Sequence, residues 1–169
     1  MDKGQKRIIA VLATLLALVL IAVLIGLLTR DPEMGEFVPP AFEENAKTEF
    51  AAPIDANAKY TPFNIPGEFT GALCANVYVE DDQALLYFTS FEENAVWAKA
   101  ILYNERGKMI GESGLIKPGE HVESVALSEI PKSNSTLTVK TLTVKVLLYE
   151  PDTYFSRGSC SISINLIVK

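Results

Sequence analysis

Between Ile8 and Leu28 the chain runs for 21 residues without a charged side chain, and only Thr14 and Gly26 depart from Ala, Val, Leu and Ile. At the helical rise such a segment is about 31 Å long, close to the roughly 30 Å hydrocarbon core of a bilayer. Fifteen of its residues are Leu, Ile or Val. At roughly −0.3 to −0.6 kcal/mol each on an insertion scale, they favour bilayer entry by about 5 to 9 kcal/mol. A secretory signal has a shorter apolar region, about 7–15 residues, followed by a small-x-small cleavage site. Gly26-Leu27-Leu28-Thr29-Arg30-Asp31 offers no such site, and no cysteine follows the run for lipid attachment. The acidic residue that opens a type IV pilin helix is also missing. The segment is therefore expected to be an uncleaved signal anchor spanning residues 8–28.

Flanking charge sets the expected orientation. Lys3, Lys6 and Arg7 precede the run, whereas Asp31, Glu33, Glu36, Glu43, Glu44, Glu49 and Asp55 outnumber Arg30, Lys47 and Lys59 behind it. The positive-inside rule places a tail of residues 1–7 in the cytoplasm and everything from Thr29 outside, in a single-pass protein of the cell membrane. Residues 29–69 carry Pro32, Pro39, Pro40, Pro53, Pro62 and Pro66 among acidic residues, with little periodicity. That composition predicts an extended tether. The aromatics Phe37, Phe42, Phe50 and Tyr60 within it are candidates to dock on the following domain or on a partner. The net charge of −6, with no basic patch in the C-terminal part, argues against nucleic acid as a partner.

From about residue 70 the apolar pattern takes a period of two. Leu73, Ala75, Val77 and Val79 alternate with polar neighbours, Ala84, Leu86 and Phe88 follow a turn, and a third strand covers Val96 to Tyr103. Asn104-Glu105-Arg106-Gly107 and Lys117-Pro118-Gly119-Glu120 read as turns, and strands follow at 108–111, 121–127, 136–149 and 159–168. The expected fold is all-β: a seven-stranded antiparallel sandwich of the immunoglobulin-like kind over residues 70–169. Leu137-Thr138-Val139-Lys140 recurs as Leu142-Thr143-Val144-Lys145. An offset of five would turn the two apolar sets to opposite faces, so a β-bulge or bend near Lys140-Thr141, or a strand that changes sheet, is expected there.

Few residues carry chemistry. Cys74 and Cys160 stand near the starts of the first and last expected strands. In an oxidising compartment they either form a disulfide or remain two buried thiols. His121, between Glu120 and Glu123, reads as a solvated strand edge rather than a metal ligand or general base. Asp81-Asp82 and Glu92-Glu93 fall in turns and lack the alternating ligand pattern of a calcium loop. Phosphate-binding glycine loops, nucleophile elbows and zinc-protease motifs do not occur. The expectation is a non-enzyme, with no catalytic residue, cofactor or metal. Trp97 is expected either in the core or on an exposed aromatic stripe. Tyr154 and Phe155, on a loop after Glu150-Pro151-Asp152-Thr153, are candidate partner contacts together with Trp97. In the apolar helix Ala13/Ala17 and Ala22/Gly26 have the small-xxx-small spacing of helix pairing, which leaves homo-oligomerisation open.

Ala100-Ile101-Leu102-Tyr103-Asn104-Glu105-Arg106-Gly107-Lys108 and Gly114-Leu115-Ile116-Lys117-Pro118-Gly119-Glu120 resemble the small membrane-anchored, immunoglobulin-like proteins of Gram-positive bacteria, especially clostridia. Pro40-Ala41-Phe42-Glu43-Glu44-Asn45-Ala46 and Tyr149-Glu150-Pro151-Asp152-Thr153-Tyr154 are similar to motifs of the same proteins, so the likeness covers most of residues 38–169. The five-residue repeat departs from their usual pattern. The resemblance brings no catalytic residues with it. The expectation for the chain as a whole is a binding module, an accessory or structural component of a cell-envelope assembly with other envelope proteins as partners. The alternative reading is a self-polymerising, pilin-like surface subunit with its apolar helix in a filament core.

Overall fold

The computed structural model describes residues 2–28, 37–49, 53, 55–130 and 138–168. Two compact units divide the chain, Met1–Val38 and Pro39–Lys169. In the first, α1 spans Lys3–Leu28 as one 26-residue helix. Among the described residues no helix is long and apolar enough to cross a membrane. The expected span lies partly outside them, since the side chains of residues 6–11, 22, 23 and 25–28 are not described. Those that are described, from Leu12 to Ile21 and at Leu24, are all exposed.

The second unit is all-β. Its strands are β1 (Tyr60–Ile65), β2 (Phe69–Cys74), β3 (Asn76–Glu80), β4 (Gln83–Ala84), β5 (Phe88–Ser90), β6 (Trp97–Tyr103), β7 (Met109–Glu112), β8 (His121–Val122), β9 (Val125–Ala126), β10 (Thr138–Tyr149) and β11 (Ser156–Val168). They form a four-stranded sheet in the order β1-β2-β5-β8 and a seven-stranded sheet in the order β7-β6-β10-β11-β3-β4-β9. Ser128 N, just past β9, donates to Ile110 O in β7 at 2.7 Å, so the larger sheet nearly closes on itself. Phe69, Leu73, Phe88 and Val122 from the small sheet share one core with Ala98, Leu102, Val144, Val146, Leu148 and Leu166 from the large one.

Among the described residues eleven strands replace the expected seven, because β1 is added from the expected tether and three of the sequence's strands change sheet partway, the run Ala84–Phe88 dividing into β4 and β5. The run from Gly71 to Val79 divides at Ala75 into β2 and β3, and His121–Leu127 divides into β8 and β9. At such a corner consecutive residues both face inward: Leu73 and Cys74 are each buried. A strict period of two cannot register that. The expectation of a wholly antiparallel fold is also corrected, since β3 runs parallel to β11, pairing Asn76 with Asn165 and Tyr78 with Ile167.

Part of the expected tether belongs to the domain. β1 lies within it and pairs along its length with β2, from Tyr60↔Cys74 to Ile65↔Phe69. Residues 41–47 are docked by main-chain bonds. Leu115 N donates to Ala41 O and Glu43 N to Leu115 O, each at 2.9 Å, and Lys47 and His121 exchange two more. Glu43 Oε2 accepts from Gly114 N at 2.6 Å. A Cβ at Gly114 would stand 2.5 Å from Glu43 N and Cα, so this approach requires glycine.

β10 and β11 stay in one register from Thr138↔Val168 to Leu148↔Gly158, with the only irregularity at Leu148/Tyr149. No bulge occurs at Lys140-Thr141, contrary to expectation, and Val139 is left 55 % exposed. Leu137 lies outside the described residues. β6 joins β10 only from Thr143 onward, so residues 138–142 are a sheet margin paired with β11 alone, while β11 pairs there with β3 on its other side. There Val139 meets Ile167 across the ladder, and an apolar cross-strand pair is favourable without burial in a core.

Candidate functional site

Along β6, Ala98, Ala100 and Leu102 face the core and are buried. Parity then turns Trp97, Lys99 and Tyr103 to the outer face of the large sheet, which rules out core burial for Trp97. In that register Trp97 stands opposite Tyr149 of β10.

Two other segments converge on Trp97. Phe42 arrives with the docked residues 41–47, and its ring meets the indole edge-to-face at 4.8 Å between centroids. From the β10–β11 loop the Tyr154 ring also packs on the indole, at 5.3 Å and 64°. Both are geometries that aromatic quadrupoles favour. Lys117 Nζ sits 4.7 Å from the Phe42 centroid, a cation–π contact that places a positive charge on the rim. The Tyr154 loop is held by its own main chain: Glu150 N donates to Phe155 O at 2.8 Å, and Tyr154 N to Glu150 O at 3.0 Å. Asp152 and Tyr154 take left-handed φ values of 64° and 57° to achieve this. The loop thus pins Tyr154 inward on Trp97 and turns Phe155 outward, 71 % exposed.

The result is an aromatic ledge built from Phe42, Trp97, Tyr154 and Phe155, with Lys117 beside it and the Lys99–Glu112 ion pair (2.9 Å) also on β6 and β7. Of the sequence-expected contact residues, the fold brings Trp97 and Tyr154 together with Phe155 next in the chain. Docking on the domain was one of the two outcomes expected for Phe42, while Lys117 was not expected there. The isolated aromatic in the motif Pro40-Ala41-Phe42-Glu43 was the available signal for the first; nothing local marked the second.

The remaining candidates sit apart. Cys74 and Cys160 are both free thiols, not a disulfide. Cys74 closes β2 in the small sheet, while Cys160 stands on β11 opposite Val146 in the large one. Burial pushes the Cys74 thiol up to about 11 and also raises that of Cys160, against which the Val146 main chain acts weakly. Thiols held protonated are not activated nucleophiles. His121 is only 1 % exposed rather than solvated, because β8 pairs with β5 on one side and with Lys47 on the other. Its Nε2 lies 3.9 Å from Glu123, whose carboxylate holds Lys47 Nζ at 2.8 Å. A cleft of about 240 Å³ opens between the β6–β7 turn and the start of β10, lined by Asn104, Arg106, Ile110, Glu129 and Lys140. Glu129 is drawn to Lys108 at 2.6 Å, and that contact lowers its carboxyl from the ordinary value. Among the described residues no group of three or more His, Cys, Asp or Glu side chains is placed to hold a metal ion. In α1, Ala13 and Ala17 are exposed, and the side chains at Ala22 and Gly26 lie outside the described residues.

No protein-family model matches this chain, and no curated protein matches it either.

Proposed function

We propose that this protein is a membrane-anchored binding module: α1 holds an immunoglobulin-like β-sandwich domain outside the cytoplasm, and the aromatic ledge contacts another envelope protein. The observation that carries this reading is the ledge itself. Rings from three distant stretches of the chain are locked edge-to-face, with a cation at the margin and Phe155 presented to solvent. Rigid aromatics lose little entropy on contact and are enriched in interface hot spots. They form a binding surface, without the paired nucleophile and base that catalysis would need.

Anchoring is supported by the helix. Leu12, Leu15, Leu16, Leu18, Val19, Leu20, Ile21 and Leu24 cover every side of α1 and are 53–62 % exposed. A helix apolar all round belongs inside a large core or a bilayer. The flanking Lys3, Lys6 and Arg7 orient it with its N-terminus in the cytoplasm. The sequence resemblance points to the same class of envelope component.

A photo-crosslinking amino acid placed at Phe155 of the full-length chain in its native membrane tests this reading. Discrete adducts with the same envelope proteins from Phe155, and none from an equivalent probe at the exposed Glu105 in the β6–β7 turn, are expected. Equal labelling from both positions would sink the ledge as the contact surface. Recovery of adducts only with its own chain would favour a self-polymerising subunit instead.

A further inference from the structure

β11 is a 13-residue strand, but its second neighbour, β3, pairs only with Asn165, Leu166 and Ile167. Among the described residues, no strand adjoins that side of β11 from Ser156 to Ile164. The bond from Asn165 N to Ala75 O, at 2.8 Å, shows which residues direct their main chain away from β10. By the alternation of an antiparallel ladder these are the odd-numbered ones, so Ser159, Ser161 and Ser163 turn N–H and C=O outward. All three are exposed.

Among the described residues the other sheet margins are blunted, that of β10 at 138–142 by Lys140. β1 carries Pro62, β8 is covered by its two bonds with Lys47, and β7 and β9 nearly close on each other. On β11 the one charge near the open stretch, Arg157, is turned onto Glu68 at 3.2 Å. From Gly158 to Ile164 the strand has no charge and no proline. Natural edges are normally protected by one or the other.

We infer that this edge pairs with the same edge of a second copy of the chain, antiparallel and centred on Ser161. A two-fold axis there sets Ser159 opposite Ser163 and Cys160 opposite Ile162, in an isologous contact that satisfies the outward donors and acceptors mutually. The facing strands are uncharged, where most of this chain's surface, at net −6, would repel its copy. The half-buried Cys160 and Ile162, at the margin of the core, gain cover from their counterparts. The inference is independent of the aromatic ledge.

Site-specific disulfide formation reads the register. In purified full-length protein carrying Cys160→Ser, single Ser159→Cys, Ser161→Cys and Ser163→Cys chains are oxidised mildly in detergent. Ser161→Cys is expected to give covalent dimer several-fold faster than either of the others alone. Mixing Ser159→Cys with Ser163→Cys chains restores the fast rate, because those positions face each other across the axis. Equal rates at all three positions, or no dimer at any, overturns the inference. Ser161→Lys, which leaves the β10 ladder bonds in place, serves as a second reading. With Trp97 emission unchanged, its mass by light scattering should fall from dimer to monomer; an unaltered mass overturns the proposal equally.

Discussion

At Gly114 a single hydrogen atom in place of a methyl group decides whether residues 41–47 belong to the domain. The added Cβ of Gly114→Ala would collide with Glu43 main chain, which unlike a flexible side-chain tip cannot easily move. We expect about 1–3 kcal/mol of destabilisation, measured by urea unfolding, and a red shift in the emission of Trp97, the only tryptophan. The shift follows because Phe42 leaves with the segment it rides on. Phe42→Ala should reproduce the emission change at a lower cost, of which the lost ring pairing accounts for about 0.5–1.5 kcal/mol. An emission spectrum identical to that of the native chain in both variants would show that Phe42 does not cover the indole. The cysteines give a pH signature. The Cys74 thiol titrates at about 11 in the folded chain against an ordinary 9.0. Between those values the unfolded chain has released the proton and the folded chain has not, so unfolding becomes easier. Stability from this burial is complete below pH 9 and declines as pH rises toward 11; Cys74→Ala should flatten that decline in thermal scans.

The β10 strand places opposite fates three residues apart. Leu142 is 1 % exposed and faces the core, whereas Val139 is on the other face of the same uninterrupted ladder. Leu142→Ala should cost about 2–5 kcal/mol, as cavities in cores do. Val139→Thr should stay within roughly 0.5 kcal/mol of the native chain in the same unfolding assay. A large loss at Val139 would mean that the ladder slips or bulges near Lys140 after all. The repeat Leu-Thr-Val-Lys thus does not demand a bulge. β10 extends past β6, and there Val139 on the outer face pairs with Ile167, whose other neighbour is Tyr78 of β3.

For the whole molecule, the division at Val38/Pro39 predicts a clean functional split. A fragment of residues 39–169 should keep the native Trp97 emission and a cooperative unfolding transition, since the sheets and the docked segment all lie within it. It should also lose membrane association, whereas the full chain should resist extraction by high salt and alkaline carbonate. Release of the full chain by carbonate would remove α1 as an anchor. Trp97 emission altered in the fragment would show that the first unit contributes to the ledge.

Charge, apolar runs and period are properties of neighbouring residues, and what depends on them was legible. The 21-residue uncharged segment, the all-β character after it, and the turns at Gly107 and Gly119 follow from local composition. So does the inward alternation of Ala84, Leu86 and Phe88. The tertiary structure alone decided where strands change sheet, that β3 runs parallel to β11, and that His121 is buried. It also decided that Cys74 and Cys160 stand in different sheets. The ledge shows the reason most clearly. Phe42, Trp97, Lys117 and Tyr154 meet because a main-chain bridge at Gly114 and a self-bonded loop at Glu150 bring distant stretches together. Long-range main-chain bonding of that kind leaves no periodic trace in the residues it joins.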